Sequence, residues 1–315
     1  MSVTEAQRRL LALCAIRDDK ASVDWSLLAR EAMREPTLEA LYAGRIAEKS
    51  PVAERARPLL KRGLRDLAAL RSRVDSELEA ADSVGAHLVT VLDADYPANL
   101  RLIPNLPPFL FIRGSLKRDD ARSVAVVGTR EASPGGLRRS SALARMLSEA
   151  NVTVTSGLAR GIDSAAHQAA LDANARTIAV LGTGITKCYP AENKELAEEI
   201  ARRGALVSQF WPTRSAGRDT FPRRNVVTSG ISQGTVVIEA TATSGAKMQA
   251  RLALEHGKKV FLVKSLVTRR EWARKYLERG AIEVVDVADV LNNLASSDRV
   301  YEATTLRQQL SFAIL

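Results

Sequence analysis

The stretch Ser156-Gly157-Leu158-Ala159-Arg160-Gly161-Ile162-Asp163 lies between the strand-like Val152-Thr153-Val154-Thr155 and the helix-compatible run Ser164 to Leu171. A glycine-punctuated turn in that position predicts strand, tight loop and helix in succession. Such a loop lets backbone N–H groups converge at a helix N-terminus, where the helix dipole favours a phosphate. The segment therefore predicts an anion site.

The same layout occurs upstream, where Val124 to Val127 runs into Gly128-Thr129-Arg130 and, past Ser133-Pro134-Gly135-Gly136, into a helical stretch from Leu137 to Ala150. It recurs downstream, where Ile178 to Leu181 precedes Gly182-Thr183-Gly184 and a helix around Glu195 to Arg203. Three such units in sequence imply parallel strands joined by right-handed crossovers, with all three loops at one edge of the sheet. Further short apolar runs follow at Ala205 to Ser208, Val236 to Glu239, Lys259 to Val263 and Ile282 to Val285. The fold class expected is α/β, a doubly wound Rossmann-like parallel sheet of about seven or more strands.

The rest of the chain frames that sheet. Residues 1–84 read as a small helical N-terminal module, with helices at Glu5 to Ile16, Asp24 to Glu35 and Val52 to Ala81, the last open to interruption at Pro58 and Gly63, and Asp24 as an N-cap. The sheet-bearing part is expected over 85–292, entered through His87 to Leu92 and the proline-rich Leu106 to Gly114. A short tail, 293–315, ends in the apolar Leu310 to Leu315 and reads either as a docking or dimer contact or as a packed or frayed end.

Composition narrows the function classes. With 46% hydrophobic residues, no bilayer-length apolar segment and no signal-peptide pattern at Met1 to Ala6, a cytoplasmic protein without membrane contact is expected. Cys14 and Cys188 are far apart, and the histidines His87, His167 and His256 are not clustered in sequence, so no metal is expected. Residues 1–85 hold 15 Lys/Arg and 14 Asp/Glu; of the chain totals of 46 and 36 this leaves 31 and 22 for residues 86–315. The positive excess thus falls on the part with the glycine loops, which favours a polyanion over a merely soluble surface.

The most distinctive chemical cluster is Asp219-Thr220-Phe221-Pro222-Arg223-Arg224-Asn225. Pro222 suits a first helical turn, which places Arg223, Arg224 and Asn225 where donors converge; arginine forks engage phosphate, and Phe221 offers a face for a base. The competing reading makes Phe221 a hydrophobic staple and pairs the arginines with carboxylates such as Asp219. Asp163 and His167, four apart on one helix, resemble a dyad but lack a nucleophile motif, so they read as support for the loop. Glu239, at the end of a strand beside Thr241, Thr243, Ser244 and Gly245, is expected to orient Arg223 or Arg224.

These residues together resemble the DNA-processing protein A family, also called DprA or Smf. The resemblance rests on Asp95-Tyr96-Pro97 with Asn99-Leu100, Pro107-Pro108 with Gly114, Val127-Gly128-Thr129-Arg130, Ser156 to Asp163 with Ala166-His167, Tyr189-Pro190 with Asn193, and Phe221 to Asn225 with Gly230, in order from about residue 88 to 263. It implies a single-stranded DNA-binding protein that forms a homodimer and helps load a RecA-type recombinase, with neither catalytic residues nor cofactor. The family's phosphate-pocket positions carry over to Gly128, Thr129, Arg130, Ser156, Gly157, Gly161, Arg223, Arg224 and Asn225.

The sequence departs from the family pattern after Glu239. Ser244-Gly245-Ala246-Lys247-Met248-Gln249-Ala250 stands in place of a Ser-Gly-Ser-Leu-x-Thr-Ala type run, Lys264-Ser265 in place of Pro-Gly, and Gln209 in place of an acidic residue. No winged-helix domain is expected after the sheet. Lys247 either adds a cation beside a helix N-terminus or is a solvated helix residue.

The divergence points to a specialised member. Two other classes stay open: a nucleotide- or DNA-sensing regulator or antitoxin of a toxin or effector partner in phage defence, and a phosphoribohydrolase-like enzyme using Glu239. The hydrolase motif needs Gly-Thr after a strand, whereas Gly234-Thr235 begins one.

Overall fold

A computed structural model describes residues 3–17 and 21–313, with side chains for all of these except 308 and 310–313. One sheet of nine strands carries the fold: β1 (Ala86–Thr90), β2 (Phe109–Gly114), β3 (Ser123–Gly128), β4 (Thr153–Ser156), β5 (Thr177–Val180), β6 (Ala205–Ser208), β7 (Gly234–Glu239), β8 (Lys259–Val263) and β9 (Ile282–Val284). Their spatial order is β1-β2-β6-β5-β4-β3-β7-β8-β9. From β6 to β9 across the sheet all pairings are parallel, and β1 and β2 add an antiparallel edge.

Central strands such as β3 and β8 are nearly continuous apolar runs because helices cover both faces. Val124, Ala125 and Val126 of β3 are all 0% exposed. The chain steps outward from β3 through β4 and β5 to β6, then returns to lay β7 against the free side of β3. That reversal makes the carboxyl ends of β3 and β7 the switch point, where doubly wound sheets open a crevice. The three glycine loops lie on this rim, as the strand–turn–helix repeat predicts.

Before the sheet come α1 (Glu5–Ala15), α2 (Trp25–Arg34), α3 (Pro51–Gly63) and α4 (Leu67–Asp82). Asp24 caps α2 as expected, its carboxylate accepting from Leu27 N at 2.8 Å. Of the two expected interruptions only Gly63 breaks the helix, through a single 3₁₀ turn at Leu64–Asp66, while Pro58 lies inside α3. Leu10, Leu11, Leu13, Leu27 and Leu28 share one core with Phe109, Phe111 and Val207 of β2 and β6. These helices therefore seal the antiparallel edge.

The crossover helices are α5 (Pro134–Glu149), α6 (Ile162–Asp172), α7 (Lys194–Arg203), α8 (Thr220–Ile231), α9 (Gly245–Glu255) and α10 (Glu271–Leu277). Alanine-rich faces of α6 and α9 pack with β3, β7 and β8 into a second core that includes Phe261 and Trp272. The expected tail forms α11 (Ser297–Ala313), which buries Val300 against Ala98 and Ala121. The side chains of Leu310 to Leu315 lie outside the described residues, as does the contact expected of them. Among the described residues no helix is long and apolar enough to cross a membrane.

Candidate nucleic-acid interface

At the switch point a cleft of about 420 Å³ is lined by Gly128, Thr129 and Arg130 after β3, Phe221, Arg224 and Asn225 of α8, and Ser244 and Gly245 at the start of α9. Loops that are remote in sequence meet here because each follows a parallel strand or opens a helix on the same rim. Ser244 accepts from Lys247 N at 3.3 Å and so caps α9. With that cap in place the N-terminal end of α9 faces the cleft.

The floor is a buried charge system. Arg224 is 8% exposed. Its Nη1 donates to Gly157 O and to Val180 O, the latter at 3.1 Å, and its Nε donates to Asn225 Oδ1 at 3.2 Å. Gly157 is required for this approach, since a Cβ there would lie 1.8 Å from Arg224 Nη1. Among the described residues Nη2 has no hydrogen-bond acceptor, and Arg224 lines the cleft.

The loop from Ser156 to Asp163 behaves differently from the expectation. Two of its amides are not open for an anion: Asp163 Oδ2 accepts from Gly157 N at 3.2 Å and from Ala159 N at 3.4 Å. The loop has folded around its own carboxylate, with Leu158 in the left-handed region at φ 58°. Burial pushes the Asp163 carboxyl up, while Arg224 and the backbone amides pull it down. Ser156 is fully buried and donates to Val126 O at 2.6 Å, joining β4 to β3 rather than facing the cleft. Gly161, at φ 74°, turns the chain into α6 from behind.

Asp163 thus supports the loop, whereas His167, expected to do the same, is bonded to Thr177 of β5 and not to the loop. The imidazole is 0% exposed and burial drives its pKa down to about 3, so it is neutral. Thr177 Oγ1 lies 2.7 Å from His167 Nδ1 and donates to Val154 O. That assignment leaves Nδ1 protonated and donating to Thr177.

Above this floor stands an exposed aromatic and cationic layer. Arg130 lies over the Phe221 ring at 5.0 Å, and Tyr189, 48% exposed, meets Phe221 at 5.6 Å between centroids. Gly182 seats the ring, because a Cβ there would lie 2.8 Å from Phe221 Cδ1. Phe221 is therefore a platform between Arg130 and Tyr189. Tyr189 adds an aromatic face that the reading of the Phe221 cluster omits; its neighbour Pro190 and its place after the third glycine loop were the available signals.

Two expectations, and one of the two readings of Lys247, fail on geometry. Glu239 orients neither arginine: its carboxylate accepts from Ser133 N at 3.2 Å and Ser133 Oγ at 2.9 Å, tying β7 to the start of α5. Lys247 is turned from the cleft, its Nζ donating to Ala242 O at 3.1 Å and lying 5.9 Å from the Trp272 ring. Arg223 points away from Arg224, over the rings of Trp25 at 4.8 Å and Phe210 at 5.2 Å, into a neighbouring cleft. Adjacent residues on a helix are rotated by about 100°, so the pair cannot share one target. Gln209, at the position where an acid was anticipated, donates to Arg223 O.

A model of the DNA recombination-mediator protein A family matches residues 87–295. The chain belongs to that family. Smf of Escherichia coli is 37% identical over 238 residues, covering 75% of this chain and 64% of that protein. DprA of Streptococcus pneumoniae is 35% identical over 204 residues, covering 64% of this chain and 72% of that one. The chain spans less than two thirds of the length of the Escherichia coli protein and 47% of Smf from Synechocystis. Among solved structures, Streptococcus pneumoniae DprA superposes with a TM-score of 0.75 at 28% identity, covering 94% of this chain and 99% of that chain. Helicobacter pylori DprA, whose single-stranded DNA binding mode has been described, gives a TM-score of 0.59 at 25% identity and covers 66% and 94%.

Proposed function

We propose that this family member binds single-stranded DNA at the switch-point cleft as a recombination mediator, without turnover. The observation that carries the reading is the seating of Arg130 on Phe221 in the cleft that buried Arg224 also lines. An aromatic face accepts any base by stacking, and a guanidinium beside it meets the backbone phosphate, so the pair recognises a strand irrespective of sequence. The open start of α9 at Ser244 and Gly245 supplies further amide donors to the same phosphate.

Gly128, Thr129, Arg130, Phe221, Arg224 and Asn225 form this binding face. Ser156, Gly157, Gly161, Asp163 and His167 hold it in place, and Lys247 and Glu239 stand outside it. The hydrolase alternative depends on Glu239, whose carboxylate is engaged with Ser133. In this reading a homodimer hands the strand to a RecA-type recombinase, and DNA uptake or defence are two settings for the same binding step.

The test is equilibrium binding of the chain to single-stranded DNA, duplex DNA and a mononucleotide across a salt series. We expect a clear preference for the single strand and a log–log salt slope of about −0.7 per phosphate neutralised. Tight salt-independent binding of the mononucleotide alone would refute the reading.

A further inference from the structure

A second cleft, of about 570 Å³, opens beside the first where α2 and α4 meet the carboxyl end of β6. We infer that it is a second nucleotide subsite, taking the base and phosphate that flank the nucleotide on Phe221; this rests on the single-strand reading above.

The cleft has the parts such a subsite needs. Its apolar wall is made by Trp25 and the largely buried Trp211, 6.2 Å apart, which both rest on buried Phe109 behind them at 4.9 and 5.2 Å between centroids. Trp25 is only partly buried, and its indole N–H is spent on Cys14 O at 3.0 Å, so its ring is fixed with part of its surface open. Two guanidinium groups lie on these rings, Arg223 over Trp25 at 4.8 Å and Arg73 over Trp211 at 5.2 Å.

Neither of those arginines is neutralised by an ion pair among the described residues. The acids that line the cleft have other work. Asp24 caps α2, Glu77 accepts from Thr213 N at 3.0 Å and Thr213 Oγ1 at 2.8 Å, and Asp219 pairs with Arg214 at 3.0 Å. Burial pulls the pKa of both Arg73 and Arg223 down from the ordinary arginine value. Asp24, Glu77 and Asp219 also line the cleft and temper the charge of these cations, but none of the three forms an ion pair with Arg73 or Arg223 among the described residues, so a phosphate entering here would find two stacked guanidinium groups.

The two clefts are joined by one turn of helix. Phe221, Arg224 and Asn225 face the first cleft, and Asp219, Arg223 and Val226 face the second. A strand that stacks one base on Phe221 and crosses the exposed Pro222 reaches Arg223 and Trp25 next. Trp25 and Arg73 lie before residue 87, outside the region that the family model matches. The subsite is thus built by joining the N-terminal helices to the family sheet, and it would lengthen the bound strand rather than change its chemistry.

The experiment compares labelled oligothymidylates from about four to about sixteen nucleotides long, binding to wild type, Arg73→Glu and Arg130→Ala. It is paired with photo-cross-linking of a thiothymidine-bearing oligonucleotide to wild type. We expect Arg130→Ala to weaken every length alike, and Arg73→Glu to remove about fivefold or more of the affinity gained on lengthening the strand. Cross-links are expected at Trp25 or Trp211 as well as in 221–225. Should Arg73→Glu fold poorly, the wild-type cross-links decide. An unchanged length dependence, or cross-links confined to 128–133 and 221–225, overturns the second subsite and leaves the first reading intact. Failure of wild type to bind any single strand overturns both.

Discussion

Asp163 and Arg224 grip the same residue from opposite sides: the carboxylate accepts the N–H of Gly157 and the guanidinium donates to its carbonyl. Both side chains are buried, and burial works against the charge on each. Their charges oppose one another across a single glycine. The loop between β4 and α6 is consequently a fixed wall of the cleft, with its charges balanced internally before any ligand arrives.

Arg224→Ala should therefore act on stability before it acts on binding. It strands Asp163 without its compensating cation and frees the carbonyls of Gly157 and Val180, a loss of about 3 kcal/mol or more. Arg224→Lys should recover little, because one ammonium cannot reproduce a planar fork that serves Gly157 O, Val180 O and Asn225 Oδ1. Urea midpoints of the three proteins measure this. A change under about 1 kcal/mol for Arg224→Ala would show that the pair is dispensable.

His167 predicts an acid limb in the stability profile. Its folded pKa is lowered to about 3 by burial, against about 6.5 for an unperturbed histidine. Between those values the unfolded chain binds the extra proton, so stability present above about pH 6.5 is lost as pH falls toward 3, at up to about 1.4 kcal/mol per unit. His256, lowered to about 4 by burial, acts in the same direction. His167→Gln, compared with wild type by urea titration from pH 7 to pH 5, should show a shallower fall with acid even though it is less stable at pH 7. Parallel profiles would rule the assignment out.

Gly63 is where the N-terminal helices depend on space. A Cβ there would lie 2.4 Å from Ile16 Cγ2, so Gly63→Ala forces α3 away from the end of α1. Overpacking of this kind costs about 1–3 kcal/mol. The double variant Gly63→Ala with Ile16→Ala should lose less than the sum of the two single changes, as a cycle of thermal melts would show. Strict additivity would mean that the two residues do not press on each other.

The parallel sheet was legible because a strand buried on both faces is written as an apolar run, as in Val124 to Val127, and three such strands in succession were each followed by a glycine turn. The meeting of Arg130, Phe221 and Arg224 was legible for the same reason, since all three follow from the rim. Where a side chain turns on arrival was not. Two of the amides expected to be open between Ser156 and Asp163 are taken by Asp163 itself, in a loop where Leu158 adopts the left-handed conformation, and leucine does not announce that. Lys247 and Glu239 were placed correctly along the chain, but Trp272 and Ser133, distant in sequence, set their directions. Trp25 and Arg73 carried no local motif at all; only the packing of the N-terminal helices on β6 makes them neighbours of Arg223.

The cleft residues should separate into two kinds by their response to salt. Arg130→Ala removes one phosphate contact, so the log–log salt slope of single-strand binding should shrink by about 0.7 while affinity falls for all sequences alike. Phe221→Ala removes a stacking face worth about 1–3 kcal/mol, and the slope should stay as in wild type. Lys247→Ala should leave both quantities unchanged, because its ammonium is held at Ala242 O and the Trp272 ring rather than at the cleft. Salt-titrated anisotropy on the three variants distinguishes them. A slope change in Lys247→Ala as large as that in Arg130→Ala would mean that the lysine swings to the strand on binding, and the cleft as drawn would then be one cation short.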